Sequence, residues 1–182
     1  MTRNFTLWLL ICLLVALAAP LLRATSVVPM SVEQLTAGAQ IVVEGRALEQ
    51  WSQWDASEHL IYTYTRFAVA STLKGSAAQT IVVRQMGGSA GGYTQVVSGV
   101  RHFQPGDESV LFLRPSVAGD GSMAVVGLMQ GNFRVVRSAD GSATAGNGVP
   151  SVSILKDGSA ATFTGSRIPL AELEQRVRRS LQ

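Results

Sequence analysis

Apolar residues follow three different rhythms along this chain of 182 residues, and each rhythm points to a different kind of element. Phe5 to Leu22 is a nearly unbroken apolar run behind Arg3, residues 40–136 carry short apolar stretches and period-two alternations cut by turn residues, and Leu170, Leu173, Val177 and Leu181 recur at near-heptad spacing. A positive start, an apolar middle and small residues at the end are the parts of a secretory signal. Ala24 is the best cleavage point, because a cut after Ala19 would place the rigid ring of Pro20 behind the scissile bond. The expected organisation is a signal peptide over 1–24 and a single domain over 25–182. An uncleaved membrane anchor is the competing reading of the run, which approaches the roughly 18 to 20 apolar residues that a spanning helix needs. A lipoprotein reading is disfavoured, since Cys12 lies in mid-run behind the bulky Ile11.

The body opens with Ser31-Val32-Glu33-Gln34, a capping box in which serine and glutamine satisfy each other's backbone N–H groups. This predicts a short helix over Val32 to Ala37, with Gly38 in the left-handed position at its end. The period then becomes extended. Strands are predicted over Gln40 to Leu48, His59 to Leu73, Thr80 to Met86, Tyr93 to Gly99, Ser109 to Arg114, Met123 to Leu128 and Asn132 to Val136. Gly45 marks a bulge or a close backbone approach in the first. A strand as long as the second must bend or bulge to serve a curled sheet. Val110-Leu111-Phe112-Leu113 has no polar alternation, which predicts a central strand covered on both faces. Residues from Asp140 to Pro150 read as turn-rich. A closing helix is predicted over 169–181, with Pro169 in its first turn and the leucine–valine stripe packed on the sheet. Six or seven strands without intervening helices predict a mainly β fold, an antiparallel barrel or sandwich.

Composition narrows the classes. Fifteen basic residues face twelve acids, a net charge of +3; loss of Arg3 and Arg23 with the leader leaves +1. The interior basic residues are spaced singly, and Arg176, Arg178 and Arg179 suit the last turns of a helix, so no nucleic-acid patch is read. Cys12 is the only cysteine, so an exported body has neither disulfides nor a cysteine zinc site and holds together by burial alone. His59 and His102 are too far apart in sequence to suggest a metal pair. No metal or cofactor is expected.

Candidate chemistry is sparse. The run Gly87-Gly88-Ser89-Ala90-Gly91-Gly92 lacks the Lys-Ser/Thr and following helix of a phosphate loop, and reads as a hairpin tip. Ser89 is the nearest approach to a nucleophile elbow and lacks its spacing. Asp107 and Glu108 fall in a turn that predicts solvation. Glu44, inside an apolar strand, is read as facing outward at a sheet edge. Trp51 and Trp54, in a polar loop predicted over Glu49 to Glu58, are the candidates for partner binding, because tryptophan joins large apolar area to one donor.

The order of elements resembles a known group. A short helix runs into AQIVVEGRALE, then come an aromatic strand ending in STLKG, the strand TIVVRQMGG and the segment FQPGDESVLFLRP. In this order residues 32–136 look like the small exported bacterial proteins of unknown function described near secreted metalloproteases, and more distantly like netrin-like domains, the module of tissue metalloprotease inhibitors. The resemblance implies an OB-like antiparallel barrel of five to seven strands with a flanking C-terminal helix. The inhibitory chemistry does not transfer, because those inhibitors coordinate the protease zinc through an N-terminal cysteine that this body lacks. The sequence therefore points to an exported, non-enzymatic binding or accessory module whose partner is a protein or peptide. A secreted hydrolase with an unrecognised site, or an inhibitor-like module, is the alternative.

Overall fold

A computed structural model describes residues 29–57, 59–147, 152–156, 159–163 and 167–182, the stretch 152–163 by its backbone alone. The apolar run over 5–22, the cleavage point expected at Ala24 and Cys12 lie outside the described residues. Among the described residues no helix is long and apolar enough to cross a membrane.

The chain is mainly β. Helix α1 (Val32–Gly38) is followed by β1 (Ile41–Trp54), β2 (Ile61–Lys74), β3 (Thr80–Met86), β4 (Gly88–Ala90), β5 (Tyr93–Gln95), β6 (Glu108–Pro115), β7 (Met123–Val125), β8 (Asn132–Arg137), β9 (Ala143–Asn147), β10 (Val152–Lys156), β11 (Ser159–Phe163), β12 (Arg167–Pro169) and α2 (Leu170–Arg179). Eight strands form one strongly curled sheet in the order β1-β2-β3-β7-β6-β8-β9-β12, and β4-β5 and β10-β11 are separate hairpins. The curl shows in β1, which pairs with β2 on one edge and with β6 on the other.

Strand β6 is the hub. One edge takes β1, and the other takes β8 along Glu108 to Leu111 and β7 along Leu113 to Pro115. Because successive strand residues point to opposite faces, its apolar run feeds two cores. Leu111 and Leu113 join Ile41, Val43, Phe67, Val83 and Phe103 inside the curl. Val110 and Phe112 join Val42, Phe133 and the helix residues Leu35, Leu173 and Val177 on the other side. A strand with cores on both faces cannot alternate with polar residues, which is why its sequence reads as a continuous run.

The predicted irregularities are present. The β1–β2 register shifts between Glu44 and Gly45, and a Cβ on Gly45 would stand 2.7 Å from the Ala68 carbonyl oxygen. The capping box closes as expected, with the Gln34 N–H donating to Ser31 Oγ and the Ser31 N–H to Gln34 Oε1. At the far end of α1 the Lys74 ammonium donates to the carbonyls of Thr36 and Ala39, at 2.6 and 2.7 Å. A cation there complements the helix dipole.

Six expectations need correction. Gly38 is the last helical residue and not a left-handed cap, and the chain leaves α1 through an extended Ala39. Leu181 is exposed, beyond the end of α2 at Arg179. The strands expected over Tyr93 to Gly99 and Met123 to Leu128 are only three residues long. Residues 143–147, read as turn, form β9 between β8 and β12, so the main sheet has eight strands. Finally, β1 runs on to Trp54, so Trp51 and Trp54 stand on a strand and not in a loop.

Candidate functional site

The far half of β1 keeps an unbroken register with β2, from Gln50 opposite Thr65 to Trp54 opposite Ile61. Trp51 and Trp54 are three residues apart on this regular strand, so they point to opposite faces. Each has its own aromatic partner. Trp51 stacks on Tyr64, with ring centroids 5.6 Å apart and planes 10° from parallel, and Trp54 meets Tyr93 of the β4–β5 hairpin edge-on at 5.7 Å. The structure does not bring the two tryptophans together.

It does bring Trp51 together with residues that no local pattern had joined. Trp51 is opposite Tyr64, and Tyr64 is opposite Arg84, so three side chains form a row across β1, β2 and β3. Their neighbours in register, Thr65 and Val83, are buried within the curl, so the row lies on the outer face. In the flanking row the Arg84 guanidinium sits 3.4 Å from the centroid of the Tyr62 ring. The Arg66 guanidinium lies 5.8 Å from the Trp51 ring and pairs with Glu49 at 2.6 Å. The Tyr64 hydroxyl donates to Asp120 at 3.3 Å. The Ser122 hydroxyl donor is the main reason the Asp120 carboxyl is held below its ordinary range, with Tyr64 and the Arg84 charge adding to the effect.

The row continues past β3. Val83 is paired in parallel with Met123, and Ala124 is opposite Arg114 on β6. Stepping one residue along both strands places Ala124 between Arg84 and Arg114 on the same face. A cleft of about 530 Å³ opens here, with Arg84, Gln85 and Met86 on one wall and Arg114, Val117 and Leu128 among the residues of the other. Val83–Met123 is the only pair joining β3 to β7, so the sheet separates beyond it.

The other singled-out residues have structural employment. Glu44 is mostly covered and accepts from Arg137 at 2.8 Å. Arg137 also donates to Glu108 at 2.8 Å and is the main reason that carboxyl is held low, with Arg46, which also bonds Glu108, assisting. Asp107 accepts from Arg134 at 2.7 Å and is only 10% exposed. The acids of this turn are therefore paired and partly covered, not solvated as the sequence suggested. Ser89 bonds Thr94 within the exposed hairpin. His59 lies in the turn closed by Asp55, which accepts its N–H.

A serine, a histidine and an acid do converge on one small cavity of about 10 Å³, lined by His102, Asp107 and Ser109 among others. No hydrogen bond joins them. His102 Nε2 is 3.0 Å from the Met86 carbonyl oxygen, and Ser109 is 1% exposed with an unpartnered hydroxyl. The volume is that of about one water molecule. Among the described residues no group of three or more His, Cys, Asp or Glu side chains is placed to hold a metal ion.

No protein-family model matches the chain, and no curated protein matches it.

Proposed function

We propose that the protein is an exported, non-enzymatic binding or accessory module with an OB-like barrel, and that it takes its partner on the outer face of β1, β2 and β3. The barrel reading is supported by the circuit of pairings that runs β1, β2, β3, β7, β6 and back to β1, with β3 parallel to β7. In OB-like barrels the face of the second and third strands and the adjoining loops are the usual binding surface.

One observation carries the functional reading. The row of Trp51, Tyr64 and Arg84 runs across three strands into an open cleft. Aromatic and arginine side chains are the residue types that most often dominate binding energy. Tyr64 is itself only 8% exposed, so what the row offers an extended peptide or protein segment is the half-buried Trp51 indole stacked on it, with a cation at the far end. Trp54, on the opposite face under the hairpin, is a support for that surface in this reading.

The test is a titration of the ¹⁵N-labelled exported protein with peptide fractions from the same compartment. Saturable shifts are expected at the Trp51 indole and at residues 62–66 and 84–86, without turnover. Steady hydrolysis of generic ester, peptide or glycoside substrates, abolished by a single serine or acid substitution, would replace this reading with the hydrolase.

A further inference from the structure

We infer that the cleft between β3 and β7 binds a small amphipathic carboxylate. The inference rests on reading this outer face as a ligand surface, and it adds the chemistry of what enters the cleft.

Shape comes first. At about 530 Å³ the cleft lies within the range of roughly 300 to 1,000 Å³ typical of small-molecule sites. It exists because β7 ends at Val125 and the chain turns away through Gly127 and Leu128, both in the left-handed region at φ 66° and 63°. That conformation is uncommon for leucine, and the turn holds it through bonds from the Gln130 N–H to the Gly127 carbonyl and from the Gly131 N–H to the Val126 carbonyl. The result is a half-exposed Leu128 on the cleft wall. Val117, 99% exposed, and Met86, 36% exposed, border the same opening. Exposed apolar side chains gathered around one cleft mark a place where apolar surface is covered on binding.

Charge comes second. Arg84 and Arg114 flank Ala124, whose small side chain leaves the space between them open. Asp120 offsets part of the Arg84 charge, whereas Arg114 is exposed and has no acidic partner among the described residues. One net positive charge beside an apolar wall suits a single carboxylate, and guanidinium is the side chain best shaped to hold one.

An N-acylated amino acid carries one such carboxylate on an apolar tail.

N-octanoylglycine tests the inference by calorimetry and by the fluorescence of Trp51 in a Trp54→Phe background. Saturable binding is expected, weakened about tenfold or more by Arg114→Gln, by Leu128→Gly, and by replacing the acid with its methyl ester. Arg114 and Leu128 are exposed, and glycine suits the Leu128 backbone, so neither variant should disturb folding. Absence of saturable binding at millimolar concentration, or an ester as tight as the acid, would overturn the inference. Release of glycine from the probe would overturn the non-enzymatic reading while leaving the site in place, whereas peptide-induced shifts at Trp51 without carboxylate binding would leave that reading standing alone.

Discussion

The two halves of β1 belong to one strand and live in different environments. From Val42 to Arg46 it is held on both edges, by β2 and β6, and Ile41, Val42, Val43 and Ala47 are buried. At Ala47 the second edge passes to Gly106 and Asp107, whose backbones exchange bonds with it. Beyond that point only β2 is paired, and Trp51 to Trp54 are half-buried or exposed. The near half answers to the cores and the far half answers to a surface. Strand hydrogen bonds alone do not make a strand legible from sequence. What makes it legible is which side chains the flanking layers require to be apolar.

The largest expected effect breaks the near half. Phe112 is opposite Val42, fully buried and against Phe133 at 5.6 Å. Phe112→Ala should cost about 3 to 5 kcal/mol in denaturant unfolding. A loss under about 1 kcal/mol would mean that the hub strand is peripheral.

The next effect breaks the far half. Gly88 sits at φ 129°, and a Cβ there would lie 2.2 Å from Thr63 Oγ1 and 2.5 Å from Ser52 Oγ. The glycine run is needed less for looseness than for contact, because the hairpin crosses the hydroxyl pair of Ser52 and Thr63. Gly88→Ala should cost about 1 to 3 kcal/mol through strain and a lifted hairpin. Amide exchange should rise at residues 51–54 and 61–64 while residues 41–46 stay protected; protection lost equally in both halves would erase the distinction between them.

These differences explain what could be read beforehand. Strand β3 has the bounds its alternation predicted, Thr80 to Met86, and the run at 110–113 pointed to a strand with two cores. The near half of β1 was legible from Ile41, Val42 and Val43. The far half was not, because Glu49, Gln50, Ser52 and Gln53 satisfy a surface. Strand β9 was missed for a related reason: Ala143, Thr144, Ala145 and Gly146 are small, and the core cluster buries only Ala145 fully, with Ala143 packed against it. The cleft had no local signal at all. It arises where β3 meets β7 some forty residues later, and Arg84 and Arg114 read in sequence as isolated basic residues. The available hint was the outward alternation of Tyr62, Tyr64 and Arg66, an unusually aromatic outer face in which Tyr64 is buried and Tyr62 half-buried.

Trp51 sharpens the comparison with a smaller effect. Its stack on Tyr64 contributes about 1 kcal/mol beyond the area covered, so Trp51→Ala should lower stability by about 1 to 2 kcal/mol and leave the fold intact. It should also remove the shifts that ligands induce at residues 62–66. Unfolding on this one substitution would place Trp51 in the core and withdraw it from the binding surface.

The smallest effect lies at the start of the near half, where α1 feeds β1. Arg176 of α2 grips Glu33 of α1 with two bonds of 2.9 Å, and this grip, above all its hydrogen bonds, lowers the Glu33 carboxyl from 4.5 to about 2. A carboxyl lowered on folding stabilises the native state above its ordinary value, and that contribution fades as the pH falls from about 4.5 towards 2. Glu33 is 51% exposed, so solvent screens the pair and its contribution is less than about 1 kcal/mol. Glu33→Gln should therefore lower stability slightly at pH 7 and make no difference near pH 2. Because α1 covers only the helix-side core, amide exchange in the variant should rise around Leu35 and Val42 and not at Trp51 or Tyr64. A Glu33→Gln protein whose deficit is the same at pH 2 and pH 7 would show that the helix clip acts through packing and not through charge.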